Sequence, residues 1–108
     1  MVIEQMAPET TRTITIHSGK VRVLISGDST KIHLSCNGVS RLRKYQLGPD
    51  HKQIELKTTH KINTIKLGTE NSSGPNTVVH LYINDGTMEH NINAWLKPGK
   101  DNTIILKH

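Results

Sequence analysis

Seven histidines in 108 residues are the first side chains to weigh for chemistry, since a neutral imidazole is a ready ligand for zinc and other transition metals. His17, His33 and His80 fall on outward phases of alternating stretches. None stands at His-x-His spacing or beside a cysteine, and two of them occupy equivalent positions of an internal repeat, which separates them in space. No metal site is expected. The carboxylates Glu55, Glu70, Asp85, Glu89 and Asp101 are dispersed, no Ser, Thr or Cys sits in a nucleophile elbow, and no glycine-rich phosphate loop opens a helix. The chain therefore reads as neither an enzyme nor a cofactor carrier. Cys36, the single cysteine, shares its phase with Ile32 and Leu34 and reads as a small buried hydrophobe; no internal disulfide can form.

What remains is chemistry of contact. Sugar-binding modules stack rings on exposed aromatics, and here the aromatics are Tyr45, Tyr82 and Trp95. Trp95 has the parity opposite to Leu96, which turns it outward or half-buries it beside the following turn. Asn71-Ser72-Ser73 matches a glycosylation acceptor within the turn-rich stretch 69–75, the expected exposed loop. Lys and Arg number 14 against nine Asp and Glu, a formal net charge of +5 with a pI near 9.6. Apart from a cluster at Arg41, Arg43 and Lys44, the cations are spread singly, as on a solvated face. Aromatics are too few for a nucleic-acid platform, so nucleic acid is not expected as a partner.

The elements that must position these residues are strands. Residues 76–84, NTVVHLYIN, alternate Thr77, Val79, Leu81 and Ile83 against Val78, His80 and Tyr82, a strand with one buried face. It leads into Asn84-Asp85-Gly86, a polar return segment ending in Trp95-Leu96-Lys97-Pro98-Gly99, and the apolar stretch 102–107. An earlier copy runs Ile32, Leu34 and Cys36 inward, then Asn37-Gly38, Leu47-Gly48-Pro49, and Ile54 to Lys57; the copies lie 47 to 50 positions apart (Ile32 against Val79, Ile54 against Ile104). Upstream, Ile14 and Ile16 followed by Val21, Val23 and Ile25 across Ser18-Gly19 read as a hairpin, with 31–36 continuing a meander.

Two stretches resist alternation. Val39, Leu42 and Tyr45 are three apart, which fits a short helical turn or an irregular strand. Ile62 is out of phase with Ile65 and Leu67, which calls for a bulge or a bend. With no Phe and 33% hydrophobic residues the core must be Ile, Leu and Val, the β-formers. About eight strands at 8 to 12 residue spacing predict an all-β fold: a two-sheet antiparallel β-sandwich, jelly-roll or Ig-like, with an internal pseudo-repeat. Residues 1–11 are expected to form an N-terminal arm and 12–108 a single sandwich domain.

Leu81-Tyr82-Ile83-Asn84-Asp85-Gly86 and Trp95-Leu96-Lys97-Pro98-Gly99-Lys100-Asp101-Asn102-Thr103-Ile104 resemble the closing strands of galactose-binding-like jelly-roll domains. There a strand ends in Asn-Gly and a Leu-Lys-Pro-Gly turn followed by Asn leads into the last core strand. The resemblance covers less than a third of the chain and implies fold; it places no sugar-binding residue.

The functional expectation is a non-enzymatic structural protein docking on a larger assembly, such as a capsid decoration (cement) or tail protein of a virion. The alternative is a carbohydrate-binding module using the loops 71–75 and 87–95. Candidate binding residues are Trp95, Tyr82 and Asn71, with Arg41, Arg43 and Lys44 for an acidic partner. A protein partner or large assembly is expected, a second copy of the chain among the candidates. With no leader-like segment and no bilayer-length apolar run, the location expected is a virion or the cytoplasm, without membrane contact.

Overall fold

The structure, a computed structural model, describes residues 2–27, 30–69 and 77–108. It contains ten strands: β1 (Ile3–Met6), β2 (Thr11–Thr15), β3 (Lys20–Gly27), β4 (Lys31–Cys36), β5 (Val39–Gln46), β6 (Lys52–Lys57), β7 (Ile62–Thr69), β8 (Thr77–Asn84), β9 (Glu89–Leu96) and β10 (Asp101–Lys107). They form two five-stranded sheets, sheet A in the order β1-β9-β8-β3-β6 and sheet B in the order β2-β10-β7-β4-β5. The all-β sandwich expected from the alternation is the fold, with ten strands instead of about eight.

The internal repeat becomes a rule of topology. β3 pairs β6 in sheet A while the hairpin between them, β4-β5, joins sheet B. β7 pairs β10 in sheet B while its hairpin, β8-β9, joins sheet A. Each sheet thus takes a strand pair from one four-strand unit and the hairpin of the other. Neither unit can bury its apolar face alone, so the two must interlock. The core between them is aliphatic, with Val21, Ile25, Leu34, Leu67, Leu81, Ile92 and Leu106 at 1% exposure or less.

Three sequence expectations are corrected. The segment 1–11 is not wholly an arm: β1 lies parallel to β9 at the edge of sheet A, Met6 is buried, and β2 already begins at Thr11, parallel to β10. The sheets are accordingly not purely antiparallel. β2 and β3 do not form a hairpin, because the chain crosses from sheet B to sheet A between them, and crosses back before β4. Ile62 needs no bulge: β7 keeps an unbroken register with β10, Ile62 faces outward, and the inward slot next to it holds a polar residue, Asn63. That amide is satisfied by Asn37 Nδ2 at 3.0 Å and by His60 O at 2.8 Å, which is why it can be fully buried.

The irregular stretch at Val39 to Gln46 is a strand with two register shifts against β4, and Lys44 has φ of 48°. Each shift inserts one residue, so the apolar period lengthens from two to three, and Leu42 still reaches the core. Asn37 and Gly38, with φ of 52° and 80°, make the tight β4-β5 turn in which both central residues need positive φ.

Candidate functional site

β8 and β9 lie side by side with Val78 opposite Trp95, His80 opposite Asn93 and Tyr82 opposite Asn91. Their inward residues alternate with these, so all six side chains emerge on the outer face of sheet A. β3 adds Leu24 beside Tyr82 and Ser26 beside His80; β1 adds Ile3 beside Asn91 and Gln5 beside Asn93. Trp95 is 36% exposed, Val78 37% and Ile3 45%. Trp95 and Tyr82 stand four residue levels apart along the strands, about 13 Å at the rise of a β-strand.

The polar groups of this face fix one another. Trp95 Nε1 donates to Gln5 Oε1 at 2.9 Å, which holds the indole in one orientation and ties β9 to β1. His80 Nδ1 lies 3.0 Å from Asn93 Oδ1, and Asn84 Nδ2 donates to Tyr82 Oη at 3.0 Å. His51 approaches His80 edge-on, ring centroids 6.5 Å apart. From the level of Tyr82 to that of Trp95, the described outward positions carry no Lys, Arg, Asp or Glu. The charges of this face, Lys20, Arg22, Glu55, Lys57 and Glu89, gather at the other end. Such a face offers ring surfaces, imidazoles and amides rather than carboxylates, ammonium or guanidinium groups.

The structure brings together two of the sequence candidates, Trp95 and Tyr82. Asn71, with the loop 71–75, lies outside the described residues. The expected loop 87–95 is mostly strand, so Trp95 projects from a sheet and not from a loop. The basic cluster splits: Arg43 and Lys44 line a hollow with His33, Ser35 and Ser40 on the outer side of sheet B, whereas Arg41 turns to the gap between β5 and β6, where Nη2 donates to Glu55 O at 3.1 Å. The bulges in β5 cause this divergence. Gln5 escaped the sequence reading because β1 is too short and polar to show a period. Asn91 and Asn93 were legible, since they share the parity of Trp95.

Several ionisable groups are occupied elsewhere. Glu4 and Arg12 meet in a two-pronged pair at 2.8 and 3.0 Å that joins the inward positions of β1 and β2 and closes that side of the sandwich. The guanidinium hydrogen bond lowers the Glu4 pKa and, reciprocally, raises that of Arg12. Burial works to raise the pKa of Asp85. The backbone N–H groups of Met88, Thr87 and His17, at 2.7 to 2.8 Å, outweigh it and hold the carboxyl below its ordinary value. Asp85 thereby ties the β8-β9 turn to the β2-β3 crossing. Burial pushes the Cys36 thiol up, leaving it protonated near neutral pH. Among the described residues no three His, Cys, Asp or Glu gather as a metal set, and no helix is long and apolar enough to cross a membrane.

The chain matches no protein-family model, and comparison with curated proteins and with solved structures gives no match.

Proposed function

We propose that this chain is a non-enzymatic interaction protein that docks through the outer face of sheet A onto a larger protein assembly, and that the assembly is a virion on which it serves as a capsid decoration (cement) or tail protein. The observation that supports this is the uncharged end of that face, where Trp95, Tyr82, Val78 and Ile3 surround fixed amides. Trp and Tyr are enriched, and charges depleted, at the centres of protein interfaces. A sandwich of 38 × 31 × 23 Å also presents a broad side of a size that can seat on a repeating protein surface. Co-sedimentation with virus particles of the host, combined with light scattering on the purified chain, tests the proposal. A strictly monomeric chain with no affinity for any particle contradicts it.

A second reading, a carbohydrate-binding module, rests on the same face. Its two rings, about 13 Å apart along the strands, flank Asn93 and Asn91, whose amides can pair with sugar hydroxyls. Binding on a glycan array that disappears in Trp95→Ala would establish this reading in place of the first.

A further inference from the structure

Residues 20–57 contain eight Lys and Arg against three Asp and Glu, and so carry the whole formal charge of +5. The rest of the chain sets six cations against six carboxylates and is neutral. Along the sequence this is a mild bias. The topology turns it into a surface, because β3 and β6 form one end of sheet A and β4 and β5 the end of sheet B that lies against it. Arg41 bonding to Glu55 O, and Lys52 Nζ standing 5.5 Å from the centre of the Tyr45 ring, place the two ends on one flank.

Seven of the eight cations are exposed and Lys52 is half-buried. The pairs among the described residues are the ion pairs of Arg12 with Glu4 and Lys97 with Glu9 and the hydrogen bond of His33 with Asp101, so none of the eight is neutralised by one. The carboxylates of the neutral part are largely engaged: Glu4, Glu9 and Asp101 in those pairs and Asp85 by backbone N–H groups. Between β5 and β6 opens a cleft of about 520 Å³, lined by Cys36, Leu56, Arg41, Lys57 and His60 together with Val39, which is 63% exposed.

We propose that this flank is a second docking surface, for an acidic protein segment that places an apolar side chain in the β5-β6 cleft. It takes in the charged end of the sheet A face and is distinct from the uncharged end where Trp95 and Tyr82 stand. Unpaired cations on one flank steer an acidic partner and set its orientation, and the apolar lining supplies the anchor. The two bulges of β5 and the Arg41 bond to the β6 backbone obstruct strand addition, so recognition proceeds through side chains. A nucleic-acid backbone fits less well. It has no apolar group for Val39 and Leu56, and the one aromatic nearby, Tyr45, lies half-buried beneath Lys52, where no base can stack on it.

Fluorescence anisotropy on the full chain tests this with three labelled probes: a dodecapeptide of Asp and Glu with one central Leu, the same peptide with Ser in place of Leu, and a short DNA duplex. The Leu peptide binds tightest, and its affinity falls about tenfold between about 50 and 200 mM salt. Arg41→Glu combined with Lys57→Glu, or Val39→Asp alone, weakens it about tenfold or more. Lys66→Glu combined with Lys107→Glu, an identical change of charge on sheet B, leaves most of the affinity. No binding of the Leu peptide, equal binding of the Ser peptide, tighter binding of the duplex, or equal loss in the sheet B variant overturns the proposal.

Discussion

His33 Nε2 and Asp101 Oδ1 lie 2.8 Å apart across the middle strand of sheet B, with Gly68 directly beneath them. A Cβ at Gly68 would come to 2.2 Å from that oxygen and 2.6 Å from that nitrogen, so glycine leaves the space the pair occupies. The bond also joins β4 of the first four-strand unit to β10 of the second.

Gly68→Ala should displace the pair rather than the backbone. Both partners are more than a third exposed, so the pair contributes at most about 1 kcal/mol, and alanine in a strand recovers about 0.5–1 kcal/mol over glycine. Urea unfolding should find Gly68→Ala within about 1 kcal/mol of the parent, and stabilising when His33→Ala and Asp101→Ala have already emptied the space. A loss above about 2 kcal/mol in both backgrounds would mean that the backbone had moved instead.

Asp85 should make the fold sensitive to acid. Its carboxyl pKa is lower folded than unfolded, so its stabilisation is complete above the unfolded carboxylate value of about 4 and is lost as pH falls through the folded one. Asp85→Asn should cost about 2 kcal/mol at pH 7, since an amide cannot accept three N–H bonds in the same way. The difference between parent and variant should shrink toward pH 2 in denaturant titrations; a constant difference would rule out the carboxylate as its source.

Removing residues 1–7 should destabilise the chain by about 2–4 kcal/mol, because it uncovers the β9 edge, unburies the contacts of Met6 and strips Arg12 of Glu4. An idle arm would be lost without effect, so unchanged thermal unfolding would refute the strand assignment.

Legibility followed the period of each segment. β8 could be read outright because three inward aliphatics, Val79, Leu81 and Ile83, alternate with outward Val78, His80 and Tyr82, and the repeat of β4-β5-β6 in β8-β9-β10 was visible in the spacing of their turns. β5 was not readable because two bulges change its period, and β1 because Ile3–Met6 has one buried residue and no pattern. Parity opposite to Leu96 turns Trp95 outward or half-buries it beside the following turn, and it stands 36% exposed on the outer face. The company it keeps, Gln5 from β1 and Val78 from β8, depends on which strands are neighbours, and period does not encode adjacency. The basic flank was hidden for the same reason.

The most direct test of the docking face is co-sedimentation with host virus particles, comparing the parent with Trp95→Ala combined with Tyr82→Ala. Both sites lie on the outer face, so the variant should keep its β-rich circular dichroism. The parent should pellet with the particles at a level nearly independent of salt, because the face is uncharged where its rings stand, and the folded variant should stay in the supernatant. A parent that never pellets, or a variant that pellets equally, would contradict the assignment of sheet A as the contact surface.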